Sequence, residues 1–135
     1  MFAALPVGGD AKGADDFALG VCQLRRIVLA RRFWAQVLNW KILSEREREV
    51  VIGADETAPV GICFMPVADT KTVKNRLHLD LTPGPSGRDA EVERILALGA
   101  RRVDIGRSGT ESWTVLADPE GNEFCILRPK KTLIA

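Results

Sequence analysis

The sequence predicts an α+β fold built from two βαβββ modules that form a curved eight-stranded mixed sheet around a central trough, with the helices outside. Two observations lead there. The order strand, helix, three strands occurs once before residue 67 and again after residue 76. The expected helix ends at Asn39 and Gly99 lie about sixty residues apart, as do the last strands around Cys63 and Cys125. Residue identity between the halves is slight. On pattern alone, an α+β domain with an accidental twofold rhythm also fits. Paired curved sheets would leave a concave surface lined by alternate strand residues, a shape that commonly holds small molecules.

The elements follow in order. Residues 1–14 are rich in Gly, Ala and Asp and are expected to form a flexible tail, with a single domain over 15–135. Module one is expected at about 15–67 and module two at about 76–128. Phe17-Ala-Leu-Gly-Val-Cys-Gln-Leu24 reads as a buried strand. Leu29, Phe33 and Val37, with Ala30, Trp34 and Leu38, recur at helical spacing and predict an amphipathic helix over about 27–38. Arg25 and Arg26 stand where its dipole would favour acid. Trp40-Lys-Ile-Leu43 and Glu47-Arg-Glu-Val-Val-Ile-Gly53 predict a hairpin. Ala58 to Val67 predicts a further strand with prolines near its ends.

Residues 68–75 are polar and read as a linker. Leu77 to Leu81 predicts the strand that opens module two. Pro83-Gly-Pro-Ser-Gly87 is a turn whose Ser86 can cap a helix through about Leu98, with Asp89 in its first turn and Gly99 closing it. Strands are predicted over 101–105, 113–117 and 122–127. Asp118-Pro-Glu-Gly121 joins the last two, with Asp118 expected to brace the turn through its side chain.

Composition narrows the function classes. The 135 residues include 46% hydrophobic residues and a net charge of +1, enough apolar content for a packed core and no basic face. Nucleic-acid binding is therefore not expected. No apolar run approaches the ~20 residues of a membrane-spanning helix. Met1 to Asp10 lacks the charged and apolar regions of a signal peptide. Three widely spaced cysteines, Cys22, Cys63 and Cys125, argue for reduced thiols and a cytoplasmic protein. Cys63 and Cys125 are flanked by apolar residues, as packing cysteines usually are. No phosphate-cradling loop is present, and no nucleophile, base and orienting group can be read around the single histidine.

Three runs carry a family resemblance: Asn75-Arg-Leu-His-Leu-Asp-Leu81, Glu91-Val-Glu-Arg-Ile-Leu-Ala-Leu-Gly-Ala-Arg-Arg-Val103 and Trp113-Thr-Val-Leu-Ala-Asp-Pro-Glu-Gly-Asn-Glu-Phe-Cys125. Together with Phe33-Trp34 and Val37-Leu38, they resemble the glyoxalase-like branch of the vicinal oxygen chelate superfamily from about residue 17 to 128. The resemblance implies a range of activities: glyoxalase-type isomerases, ring-opening dioxygenases, fosfomycin transferases, epimerases and metal-free proteins that sequester bleomycin-like drugs. It implies four metal-ligand positions in the metal enzymes, on the first and last strand of each module. His78 matches the first-strand histidine of module two. The last-strand glutamate position, four residues after Gly121, is Cys125, with Glu123 two residues earlier on the same face. In module one the first-strand position falls near Leu19, Val21 and Gln23, of which only Gln23 carries a side chain of the kind met there. The last-strand position falls at Cys63.

These replacements lead to an expectation of no metal and no other cofactor. A divalent site needs about three protein ligands and an open position. A soft set of His78, Cys125 and Cys63, or His78 and Cys125 with Glu123, is what a metal would have to use. The expected function is binding of a small organic metabolite or drug in the trough, with His78, Asp80, Trp113, Cys125, Cys63 and Gln23 as the contacting residues. Trp113 offers a flat wall for stacking. His78 also has a purely structural alternative, held by a hydrogen bond to Asp80. Arg76 could meet an acidic ligand or simply face water, and Glu111 and Glu120 are expected to be solvated or to support the turn. Two other functions stand beside the first. One is a lyase, isomerase or dioxygenase using His78 with a metal or as a proton shuttle, since an unperturbed imidazole titrates near pH ~6.5. The other is a ligand-free interaction module. The resemblance also implies a homodimer.

Overall fold

The computed structural model describes residues 14–104 and 112–128, with side chains from residue 26 onward. The expected tail lies outside the described residues except for Ala14. The chain divides into two compact units that part between Thr70 and Lys71, within the polar segment 68–75.

The first unit begins with helix α1 (Ala14–Leu38), followed by strands β1 (Lys41–Arg46), β2 (Glu49–Gly53) and β3 (Gly61–Phe64). The expected strand over 17–24 is not present as such. Its residues are the first half of α1. A short apolar run does not by itself distinguish strand from helix, and Ala18, Leu19, Gln23 and Leu24 are all good helix formers. The earlier start also puts Asp15 and Asp16 in the first turn, the acidic beginning that Arg25 and Arg26 could not provide.

Ile27, Ala30, Phe33, Trp34 and Val37 form the buried stripe of α1, at 7% exposure or less except Ala30 at 8%. The stripe is turned relative to the predicted one, because Leu29 points outward at 54% exposure. Phe33 and Trp34 meet edge to face with centroids 5.4 Å apart, a contact worth ~0.5–1.5 kcal/mol beyond its area. Helix α1 contacts β2 and β3. Val50, Ile52 and Phe64 are the buried strand residues there. Strands β1, β2 and β3 form an antiparallel sheet in that order, with Ile42 opposite Ile52 and Ile52 opposite Ile62. A bulge between Ile42 and Ser44 interrupts β1. Arg31 pairs with Glu45 and ties α1 to β1.

The second unit contains β4 (Asp80–Leu81), α2 (Arg88–Ala97), β5 (Arg101–Arg102), β6 (Trp113–Ala117) and β7 (Glu123–Leu127). This is the predicted strand, helix and three strands. Its sheet order is β4-β7-β6-β5, with β4 parallel to β7 and the other pairs antiparallel. Helix α2 packs on β7. Val92 and Ile95 are its buried residues, and Leu116, Phe124 and Ile126 are buried in the strands. Each such side chain contributes ~1.5–3 kcal/mol through burial.

Ser86 does not cap α2. The N-cap is Gly87, at φ 88°, which follows a turn closed by Gly87 N–H to Gly84 O at 3.1 Å. A positive φ there suits glycine and displaces serine by one position. Asp89 and Glu91 occupy the first turn as the dipole favours. At the other end Ala100 N–H bonds to Ile95 O and Gly99 N–H to Leu96 O, a Schellman closure with Gly99 at φ 113°.

The described residues hold seven strands in two sheets, in place of the predicted eight in one. The α+β class stands, and the missing strand is the one absorbed into α1. Among the described residues no helix is long and apolar enough to cross a membrane.

Candidate functional site

Parallel pairing of β4 with β7 sets Asp80 directly opposite Cys125 and Leu81 opposite Ile126. The ladder extends one residue upstream, where Cys125 N–H bonds to Leu79 O at 2.9 Å. This brings His78, just ahead of β4, to the Cys125 thiol, with Nδ1 3.8 Å from Sγ. His78 is half-buried, Asp80 exposed and Cys125 buried.

Strand alternation places the remaining side chains. Val115 pairs with Cys125 and Trp113 with Leu127, so Trp113, Val115, Asp80, Cys125 and Glu123 share one sheet face. Phe124, Ile126 and Leu116 occupy the other and are the most deeply buried. Trp113 is half-buried. One face thus carries an imidazole, a thiol, a carboxylate and an indole.

The electrostatics of Cys125 come from burial first, then from Asp80. Desolvation disfavours the thiolate, and the neighbouring carboxylate both repels it and accepts a hydrogen bond from the thiol. Lys74 opposes these effects, and the thiol is nevertheless pushed up to about 11. Cys125 is therefore a neutral thiol at physiological pH, not a thiolate nucleophile or a soft anionic ligand.

Glu123 is committed elsewhere. One carboxylate oxygen accepts from Lys71 Nζ at 3.0 Å and the other from Asn75 N–H at 3.0 Å. Burial pushes its carboxyl up, but the Asn75 and Lys71 hydrogen bonds and the Lys71 charge outweigh it, and the net shift is downward. The pairing anchors the 71–75 segment upstream of His78. Sequence reasoning missed Lys71 and Asn75 because they lie in a polar stretch about fifty residues from their partner. No local period marks such a pair.

The turn after β6 behaves as expected. Asp118, 1% exposed, accepts through Oδ1 from Glu120 N–H at 2.9 Å and Asn122 N–H at 2.8 Å, and Asn122 Nδ2 donates to Oδ2 at 3.1 Å. Gly121 takes φ 87°. Arg76 is exposed, and Glu111 lies outside the described residues.

Two expected site residues fall in the first unit. Gln23 is in helix α1, not on a first strand. Cys63 is exposed on β3, contrary to a packing role. Alternation explains this: Phe64 and Ile62 turn toward the covered side of the sheet, and Cys63 lies on the other. Desolvation of its thiol and then the Glu49 charge raise its pKa.

These positions do not fit a catalytic divalent metal. The module-one first-strand position lies in a helix, Glu123 is bonded to Lys71 and Asn75, and Cys125 holds its proton. Among the described residues no three His, Cys, Asp or Glu side chains group closely enough to hold an ion.

A family model described as the glyoxalase-like domain matches residues 21–127. The chain belongs to the glyoxalase-like domain family. The family places it in the vicinal oxygen chelate superfamily, as the resemblance implied. This glyoxalase-like protein is similar in fold to a glyoxalase/bleomycin resistance protein/dioxygenase family enzyme from Burkholderia phytofirmans PsJN. That match has 23% identity and a TM-score of 0.55, over 74% of this chain and 87% of the other. It is also similar to a glyoxalase-related enzyme from Fulvimarina pelagi, with 13% identity and a TM-score of 0.54, over 73% and 77% of the two chains. The trypanothione-dependent glyoxalase I of Leishmania major matches at 13% identity and a TM-score of 0.52, over 76% and 78%. A comparison with curated proteins gives no significant match. At these identities the solved structures speak to the fold of the glyoxalase-like protein alone.

Proposed function

We propose that this glyoxalase-like protein binds a small organic metabolite or drug over the sheet face that carries His78 and Trp113, without a metal. The observation that carries the reading is the His78, Asp80 and Cys125 group beside Trp113 on one face of β4, β7 and β6. A half-buried indole supplies a stacking surface, and an imidazole supplies one directional hydrogen bond. Such a pairing of apolar area with a few polar groups suits small-molecule recognition. The donor chemistry supports a metal-free site, since Cys125 is a neutral thiol and Glu123 is held by Lys71 and Asn75.

The test is a thermal-shift screen followed by calorimetry with dicarbonyls, catechols, thiol adducts and glycopeptide drugs. At least one class is expected to bind, and His78→Ala and Trp113→Ala are each expected to weaken it about tenfold, ~1.4 kcal/mol. No binding by any class would reject the reading. Stoichiometric Zn, Ni, Mn or Fe in the purified protein, lost in His78→Ala, would reject its metal-free part. The contact between His78 and Cys125 favours one second reading, an isomerase or lyase in which His78 moves a proton. Turnover of a bound dicarbonyl that disappears in His78→Ala would establish it over simple binding. The homodimer implied by the family is part of the proposal, and sedimentation equilibrium tests it.

A further inference from the structure

The contact between His78 and Cys125 has a direction that decides what the imidazole can offer. A neutral imidazole has one N–H donor and one bare acceptor nitrogen, and the partner of one nitrogen sets the character of the other. Cys125 has a single thiol hydrogen. Two acceptors compete for it: the Asp80 carboxylate, set opposite by the β4 to β7 register, and His78 Nδ1, 3.8 Å from Sγ. An ionised carboxylate is the stronger acceptor because the hydrogen bond is charge-assisted. Asp80 accepts from the thiol, and that hydrogen bond contributes to keeping the proton on sulfur. The sulfur then faces Nδ1 with lone pairs only. A bare Nδ1 would set lone pair against lone pair, so Nδ1 must carry the hydrogen and donate it to sulfur. The remaining charged group acting on the thiol is Lys74, which offers no acceptor and cannot reverse the order.

We infer that Cys125 is a positioning residue which locks His78 as the Nδ1–H tautomer, so that a bare Nε2 meets the ligand and selects one that donates a hydrogen bond, such as a hydroxyl compound. The inference rests on the ligand-binding reading of this face. The chain of hydrogen bonds runs from His78 Nδ1–H to Cys125 Sγ and from the Cys125 thiol to Asp80. The Cys125 side chain need not touch the ligand. It acts through the ring.

The test uses long-range proton–nitrogen spectra of the untagged protein at a pH where the imidazole is neutral. The chain has one histidine, so the spectrum reports His78 without assignment. The wild-type ring is expected to be mainly Nδ1–H. Cys125→Ser is expected to keep that tautomer, because a hydroxyl can likewise accept from the ring and donate to Asp80. Cys125→Ala is expected to move the ring toward the Nε2–H form that free histidine favours in water. If that variant does not fold, Asp80→Asn serves instead. It alters an exposed side chain and frees the thiol hydrogen for Nδ1, and it is expected to give the same shift. An Nε2–H ring in the wild type, or a ring unchanged by both Cys125→Ala and Asp80→Asn, would overturn the lock.

Catechol and its dimethyl ether then probe the ligand class. Catechol is expected to move the Nε2 signal and to bind at least about tenfold more tightly than the ether. An equal response to both, a response to the ether alone, or none to either would overturn the choice of a donor ligand. An Nδ1–H ring in a protein that none of the four screened compound classes binds would instead reject the ligand-binding reading and leave the tautomer lock standing.

Discussion

Asn39 and Gly99 close the two helices in the same way. Each stands one residue beyond its helix with positive φ, 53° for Asn39 and 113° for Gly99. In each case the next residue donates back to the carbonyl five positions earlier, Trp40 to Ala35 at 2.9 Å and Ala100 to Ile95 at 3.3 Å. The chain then turns directly into an antiparallel strand. The repeated cap gives each unit the same entry into its three strands. Gly99→Ala is expected to lose at least ~1–2 kcal/mol, because a Cβ at that φ is strained. A built Cβ would meet only Pro119 Cγ at 3.9 Å, so the cost is backbone strain and not a clash. Asn39→Ala is expected to lose about 1 kcal/mol, since asparagine tolerates this region better than alanine. Urea unfolding midpoints check both.

The Asp118 turn is a second place where one side chain fixes a chain reversal. Its carboxylate accepts from two backbone N–H groups and from the Asn122 amide, and it is buried. Asp118→Ala leaves those N–H groups without their acceptor at the junction of β6 and β7. A loss of ~2–4 kcal/mol is expected, measured by chemical denaturation. Asp118→Asn is expected to retain part of this, because its carbonyl oxygen can still accept from the turn.

These two features were legible in the sequence because each is local. Gly99 closes an apolar period, and Asp-Pro-Glu-Gly names its own turn. The hairpin over Lys41 to Gly53 was legible for the same reason. His78 and Cys125 could be matched to site positions by counting, but their 3.8 Å contact depends on β4 pairing with β7 across more than forty residues. Residues 17–24 show the opposite case. Their apolar run satisfies both strand and helix, and only continuity with the stripe from Ile27 to Val37 separates the two. The anchor on Glu123 left no trace, since Lys71 and Asn75 look like any linker residues until the fold brings them together.

The two described cysteines are expected to differ in reactivity. Cys63 is exposed, whereas Cys125 is buried and its thiol is held up to about 11 by burial and Asp80. A small thiol reagent near pH 8 is expected to label Cys63 in the native protein and to leave Cys125 unmodified until the fold is opened. Peptide mapping by mass spectrometry separates the two sites. Rapid native labelling of Cys125 would contradict the neutral, covered thiol on which the contact with His78 depends.

Glu123 makes the pH dependence of stability specific. Its folded carboxyl titrates below the ordinary 4.5, because the Asn75 and Lys71 hydrogen bonds and the Lys71 charge favour the ionised form more than burial disfavours it. A depressed carboxyl contributes stability above its unfolded value and loses that contribution as pH falls through the folded one. The contribution is thus complete above about pH 4.5 and fades below it. Glu123→Gln removes the charge but keeps an oxygen that can accept from Asn75. At neutral pH it is expected to cost about 1 kcal/mol, near the low end for charged hydrogen bonds because Lys71 is partly exposed. The gap between variant and wild type is expected to narrow as pH drops below 4.5, where the wild-type carboxylate is itself being protonated. Urea midpoints from pH 3 to pH 7 measure it. A gap that stayed constant over that range would mean that Glu123 acts through its shape, and that the 71–75 segment leading to His78 is held by something other than this charge.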